Sequence, residues 1–258
     1  MLALLAVLAL LADAPPPADV PLPGPESSGD RRVGPFSRDT YPSEVIARPL
    51  TLPAGMIRAG AAVDANWVHL STYVWSTGLG ISASYGIAHQ LEVGAFAAFL
   101  VSPSAQAQRV GATATLLFHD GPGFDVALAV GFDLAPSAVE PTPTITLGFP
   151  GRLLLTDRLF LTFGAQLLSL QLNPRLPSAS LKLGAGAQIT PSFALVLETD
   201  FLKVVGQTLF LRTFVLPLDL SATLAVANGF DLRARLLTFN LANPGLAGTF
   251  TLAGSAYF

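Results

Sequence analysis

Charged side chains are sparse in this 258-residue sequence, which contains 14 Lys and Arg and 17 Asp and Glu. Some of them are single charged residues among Leu, Ala and Gly, and others occur as pairs two positions apart in the sequence. A spacing of two places both side chains on the same face of a β-strand, where opposite charges on adjacent strands can pair. The residues with this pattern in the C-terminal third are Lys182, Glu198, Asp200, Asp219, Arg233 and Arg235.

Two interpretations of this charged ladder remain open. The ion pairs could fill and rigidify a narrow interior, or they could line a constriction that selects small polar or charged solutes. Glu198 and Asp200 could also hold a cation together, but pairing with Lys182 or Arg235 accounts for them more simply. We favour the constriction, and we expect no metal site and no cofactor.

Catalysis requires a nucleophile and a base within hydrogen-bonding distance, and the sequence offers no such pair. Its three histidines, His69, His89 and His119, fall in or beside predicted turns and loops without an evident serine partner. The glycines follow strand alternation rather than the spacing of a phosphate-binding loop. We therefore expect a protein without enzymatic activity.

The elements that must position these charges are β-strands. From Gly55 onward, segments of about ten residues alternate large apolar side chains with small or polar ones, as in a strand with one wet face. Every even-numbered residue from 124 to 134 is large and apolar, and the odd-numbered residues between them are Asp, Ala or Gly. The pattern predicts an all-β protein.

Turn residues divide the chain into hairpins. Tight turns are predicted near residues 86–89, 120–123, 156–158, 190–192 and 227–229, and slightly longer connections near 66–72, 102–107, 136–141, 172–177 and 205–211. This gives about twelve antiparallel strands with both termini on the side of the tight turns. Pro150 and Pro217 cannot donate to a sheet ladder, so we expect irregularities in the sixth and tenth strands.

The composition places these strands in a membrane. Hydrophobic residues make up 51% of the chain, charged residues 12%, and the mean hydropathy is +0.56. Beyond the first dozen residues no apolar run approaches the roughly 20 residues that a spanning helix needs, and a closed barrel is the other structure that spans a bilayer. The small face, with Gly78, Gly80, Ser82 and Ser84, lacks the charges that a water-facing exterior requires. The prediction is a closed, antiparallel, up-and-down transmembrane β-barrel.

With the small face turned inward, the ladder and Arg58 lie in the lumen. Asp64, Glu92, Arg109, Asp125, Asp133, Arg152 and Asp231 are predicted to lie in or near it as well. Aromatic residues beside the tight turns are predicted to meet the membrane interface; they are Tyr85, Phe118, Phe124, Phe193, Phe230 and Phe258. The net charge of −3 gives no electrostatic basis for binding nucleic acid.

From about residue 55 to 258, the sequence resembles the bacterial outer-membrane β-barrel proteins, and the terminal Phe258 is similar to the C-terminal aromatic residue of that family. The resemblance implies contact with outer-membrane lipids, recognition of Phe258 by the barrel-assembly machinery, and termini in the periplasm. We expect a passive pore or transporter for small polar solutes. The alternatives are a non-conducting structural or anchoring barrel and, less favoured, a lipid-modifying enzyme.

The N-terminal region differs in composition from the barrel. Residues 1–14 combine an apolar stretch with Ala12-Asp13-Ala14, which predicts a signal peptide with a small-x-small cleavage site. Residues 15–50 are rich in Pro, Gly and Ser and predict a flexible periplasmic leader. Residues 51–258 form the predicted barrel domain.

Overall fold

The structure is a computed structural model that divides into two units, Met1–Asp30 and Arg31–Phe258. It describes Phe36 and residues 40–69, 73–121, 123–136, 141–172, 175–205, 208–211, 217–227, 229–238 and 247–258, all of which belong to the second unit. The predicted signal peptide lies outside the described residues.

Strands dominate the described part of the chain, together with one short 3-10 turn at Val45–Ala47. No helix among these residues is long and apolar enough to cross a membrane. The strands are β1 Ile57–His69, β2 Tyr73–Ala88, β3 Leu91–Ser102, β4 Gln106–Asp120, β5 Phe124–Ala135, β6 Thr142–Gly148, β7 Gly151–Leu154, β8 Leu159–Phe163, β9 Leu168–Leu172, β10 Arg175–Thr190, β11 Phe193–Val205, β12 Thr208–Leu211, β13 Leu218–Ala227, β14 Phe230–Thr238 and β15 Ala247–Tyr257.

These segments build a closed antiparallel barrel of twelve strands, as predicted. Three barrel strands are each made of two segments, namely β6 with β7, β8 with β9, and β12 with β13. Closure comes from β1, which pairs with β2 on one side and with β15 on the other, so that Arg58 faces both Ser84 and Tyr257. Among the described strands, all except β12, which pairs with β11 alone, have partners on both sides, so their backbone hydrogen bonds are satisfied within the sheet.

The five predicted tight turns are all present and share one edge of the barrel, called the tight-turn edge below. The C-terminal Phe258 lies at the same edge, where its backbone exchanges two hydrogen bonds with Ile57 (2.8 and 2.9 Å). At the opposite edge the strands run further than predicted. β1 extends to His69, and β11 and β12 pair across the predicted connection at 205–211, because continued pairing satisfies backbone groups that a loop would leave to solvent.

Proline interrupts two barrel strands, as the sequence predicts. Between β6 and β7 the Pro150 carbonyl still accepts a hydrogen bond from the Ala127 amide (2.9 Å), although the proline has no amide to donate. Thr199 of β11 pairs with Leu218, whereas Leu202 pairs with Leu211. An advance of three residues along β11 therefore corresponds to seven residues along the barrel strand made of β12 and β13. This shift marks an irregularity beside Pro217.

The two faces of the wall differ as predicted. Large apolar side chains point outward and are exposed, as Val63 (51%), Ile81 (50%) and Leu252 (49%) illustrate. The inward positions between them carry small or polar residues, so Gly60 lies against Ser82 and Ser255. An exposed apolar exterior of this extent is the surface that lipid covers in transmembrane barrels.

The structure describes part of the predicted leader, residues 15–50. Most of residues 15–39 lie outside the described part, but residues 40–50 pack against the barrel wall, and β1 begins only at Ile57. Ile46, Thr51, Leu52 and Met56 are buried. The few apolar side chains of residues 40–56 gain burial against the closed barrel.

Candidate functional site

The charged ladder occupies four adjacent strands, which pair in the order β10, β11, β13 and β14. All its members lie on the inward face at neighbouring heights. The cross-strand register places Lys182 opposite Asp200 and Glu198 opposite Asp219. The small inward residues on each side of them, such as Gly184 and Ser221, leave the charged groups as the largest polar features of this wall.

Asp219 is the centre of the ladder. Lys182 Nζ lies 3.3 Å from Asp219 Oδ2, and Arg235 Nε donates to Asp219 Oδ1 at 2.8 Å while its NH2 group contacts Oδ2. The Asp219 side chain is 4% exposed, compared with 29% for Lys182 and 37% for Arg235. The two cations therefore cover the carboxylate and present positive charge to the lumen.

The remaining ladder residues surround this centre. Lys182 Nζ lies 3.8 Å from Glu198 Oε2, and the Thr162 hydroxyl donates to Glu198 Oε1 at 3.2 Å. Arg233 donates to the Ser221 hydroxyl at 3.1 Å and stands one inward position from Arg235. The Asp200 side chain is half-buried on β11. Carboxylates that already accept hydrogen bonds from cations and hydroxyls are held in fixed positions, which is what a selective constriction requires.

Arg58 is separate from the ladder. It lies near the tight-turn edge and pairs with Glu92 at 2.7 Å, with a longer contact to the Ser84 hydroxyl at 3.3 Å. Another pair, Arg109 with Asp133 at 2.7 Å, lies toward the opposite edge. The lumen therefore carries ion pairs at several heights rather than one ring of charge.

The aromatic residues predicted for the membrane interface all lie beside the tight-turn edge, within four residues of a strand end. Their side chains are exposed, except Phe193, which is half-buried; they are Tyr85, Phe118, Phe124, Phe193, Phe230 and Phe258. Phe124 stacks on Phe163 with ring centroids 6.0 Å apart. The three histidines lie apart: His69 ends β1, His89 is in a tight turn, and His119 packs on Phe124.

A second polar cluster, which the sequence did not predict, lies just inside the tight-turn edge. Residues 41–56, called the mouth segment below, enter the barrel there and bind inward-facing side chains. The Ile46 amide donates to the Gln188 side chain at 3.2 Å, and the Leu52 amide donates to Glu92 at 2.9 Å. Thr51 donates its hydroxyl to the His89 carbonyl at 3.0 Å.

Two arginines clamp the mouth segment to the wall. Arg152 bonds the buried Asp125 at 2.7 Å and also donates to the carbonyl oxygens of Val45, at 3.0 Å, and Arg48. Arg48 in turn makes a bidentate contact with Asp231, one bond of which measures 2.9 Å. Each arginine thus joins backbone of the segment to an inward-facing carboxylate of the wall.

Tyr41 and Tyr257 enclose the Arg48 side chain. Their rings lie 4.9 Å apart, and the guanidinium lies 5.4 Å and 5.7 Å from the two centroids. Burial, reinforced by the Tyr257 hydroxyl, raises the pKa of Tyr41 above its ordinary value. Burial alone would lower the pKa of Arg48, but its bonds to Asp231 outweigh that effect and raise it. Near neutral pH the tyrosine is therefore neutral and the arginine charged.

A cavity of about 280 Å³ lies between the mouth segment and the wall formed by the first seven barrel strands. Its lining is largely polar and includes Leu50 of the segment together with Arg58, Ser84, Glu92, Thr113 and Thr146. Hydroxyl groups and one ion pair therefore face open space inside the barrel. Such a lining hydrogen-bonds water and small polar molecules.

No protein-family model matches the sequence, and no curated protein matches it. Solved structures share its architecture. An outer membrane channel from Pseudomonas putida F1 superposes with a TM-score of 0.59 at 11% identity, covering 88% of this chain and 100% of that one. The KdgM porin in complex with disordered oligogalacturonate superposes with a TM-score of 0.55 at 8% identity, covering 76% of this chain and 99% of that one. The NanC porin superposes with a TM-score of 0.53 at 8% identity, covering 77% of this chain and 99% of that one. The chain is therefore similar in fold to outer-membrane barrels, as predicted.

Proposed function

We propose that this protein is a passive pore for small polar solutes in the outer membrane of a Gram-negative bacterium. The observation that carries the proposal is the partial exposure of Lys182 and Arg235 inside a barrel whose outer face is apolar. Charged groups remain hydrated at low cost only beside water or polar partners, so their exposure indicates a wet lumen. A wet lumen through an apolar shell is the arrangement of a pore.

The ladder supplies the selective element of this pore. Lys182 and Arg235 present positive charge, while Glu198, Asp200 and Asp64 present negative charge at nearby heights. A solute that carries both hydrogen-bond donors and acceptors, or both a positive and a negative charge, can replace its bound water by contacts with these side chains. Its passage then has a small free-energy cost. Small zwitterions and polyols fit that description.

The proposal assigns no catalytic role to the protein. The histidines lie at strand ends and turns, away from the ladder, and the superposed structures are described as porins and channels. Phe258 is proposed to be the residue that the barrel-assembly machinery recognises. Its side chain is exposed on the outer face, and its backbone is fixed to Ile57 at the seam of the barrel.

The second candidate is a non-conducting structural barrel. The observation that favours it is the mouth segment, which occupies the tight-turn end of the lumen through contacts to several strands. The two candidates differ in one measurable property, the permeability of a membrane that contains the folded protein.

Liposome swelling separates them. Vesicles containing the refolded full chain are diluted into isotonic solutions of glycine, arabinose, a disaccharide and a large dextran, and empty vesicles serve as the control. We expect swelling with the small solutes, slower swelling with the disaccharide and none with dextran. Swelling rates equal to those of empty vesicles for every solute, with the protein shown to be folded, would instead support the structural barrel.

A further inference from the structure

We infer that the mouth segment is a resident plug that narrows the tight-turn end of the barrel and limits the conductance of the pore. This inference rests on the proposed pore function. It concerns residues 41–56 and the inward-facing side chains that hold them.

The plug is anchored around the circumference rather than along one side. The wall residues that bind it or pack on it lie on the third, sixth, eighth, eleventh and twelfth barrel strands, which are distributed around the ring. In chain order these residues are Glu92, Arg152, Gln188, Asp231 and Tyr257. Asp125 on the fifth barrel strand holds Arg152 in place. All lie within a few residues of the tight-turn edge. A single segment that reaches partners on all these strands must run across the opening.

The packing of the segment is that of a built-in element. Leu52 and Met56 form a buried cluster with Tyr257, against which Tyr41 packs. Leu52 and Thr51 are each 1% exposed. Segment backbone amides and carbonyls also pair with wall side chains, which removes them from water without leaving them unsatisfied. Both kinds of contact favour a segment that stays in place.

Gly86 provides independent support. This residue faces inward near the end of β2, where a Cβ atom would lie 2.0 Å from the Pro53 carbonyl oxygen and 2.6 Å from that of Leu52. The Gly86 amide also donates to Met56, and its carbonyl accepts from Gly55 at 2.7 Å. Only a residue without a side chain permits this approach of segment to wall.

The close approach yields a specific test with a matched control. Gly86→Ala inserts a methyl group between the wall and the segment, whereas Gly80→Ala adds the same group on the same face of β2. At Gly80 the nearest atom is the Ala62 Cβ at 3.7 Å, an ordinary contact. Both variants of the full chain and the parent are compared by conductance in planar bilayers, after heat-dependent gel mobility has shown that each is folded.

A second variant covers the case in which Gly86→Ala does not fold. Arg48→Gln removes the clamp from the segment side and leaves every wall residue intact. Its control is Arg158→Gln, which changes an exposed arginine in a tight turn at the same edge.

We expect Gly86→Ala and Arg48→Gln to show severalfold larger mean conductance, or a severalfold greater open fraction, than the parent and both controls. Equal conductance in all five proteins would overturn the plug and leave the pore standing. Absence of conductance in all five folded proteins would overturn the pore, and the plug with it. A rise in the controls as large as in the test variants would likewise overturn the plug.

Discussion

At the residue scale, Asp219 lies between two lumen-facing cations, and this pairing determines the local charge. Arg235→Glu would replace a positive group by a third carboxylate beside Asp219 and Glu198. We expect the variant to favour cations more strongly than the parent does, because carboxylate rings attract them.

The reversal potential in a KCl gradient measures this shift, with Arg158→Glu at the exposed tight turn as the control for total charge. An Arg235→Glu pore with the reversal potential of the parent would exclude the ladder as the selective element.

Asp125 carries the most buried charge of the mouth. Its side chain is 0% exposed, and its partner Arg152 is 6% exposed. Asp125→Asn would leave the arginine buried without its counter-charge, which costs about 3–5 kcal/mol in comparable buried pairs.

We expect the urea midpoint for unfolding from lipid vesicles to fall in Asp125→Asn and to stay near the parent value in Asp157→Asn, which alters an exposed turn. Equal midpoints for the two variants would show that the pair contributes little to stability.

The sequence predicts which charges face inward, because a period of two assigns each residue to a face. It does not predict their partners. Arg48 and Asp231 are 183 residues apart, and no local pattern relates them. Their contact depends on the closure of the ring and on the entry of the mouth segment, which are properties of the complete barrel.

At the element scale, alternation and turn chemistry predict most of the strands. The tight turns coincide with Gly, Pro, Asn and Asp clusters, whose backbone preferences are local. The strand ends at the opposite edge are less predictable. β11 and β12 extend beyond the predicted boundary because pairing between neighbouring strands, and not the residues alone, decides where a ladder ends.

The assignment of faces makes a testable prediction in the middle of the wall. Val63 points outward near the centre of β1, whereas Ser82 points inward on β2. Val63→Arg places a charge in lipid and should cost about 2–4 kcal/mol at the bilayer midplane. Ser82→Arg places the same charge in the wet lumen.

Unfolding free energies in vesicles compare the two variants, and we expect the larger loss in Val63→Arg. A larger loss in Ser82→Arg would reverse the assignment of faces and contradict a lipid-facing exterior.

At the scale of the whole molecule, the closure of the barrel explains why the sequence predicts the fold and does not predict the position of the mouth segment. Low charge, absence of long apolar runs and about twelve amphipathic strands leave a closed barrel as the consistent solution. The mouth segment could not be predicted in the same way. Ile46, Leu52 and Met56 lie in a short segment interrupted by Pro42, Pro49 and Pro53, and their burial sites exist only once wall residues from distant strands have been brought together.

The most direct test of the account is single-channel recording of the refolded full chain in planar bilayers. A wet, charged lumen through an apolar shell predicts discrete conductance steps that persist in the purified protein and are absent from protein-free bilayers. A protein that is demonstrably folded and inserted but produces no steps, in the parent and in the variants that loosen the mouth segment, would contradict the central claim that the barrel is a pore.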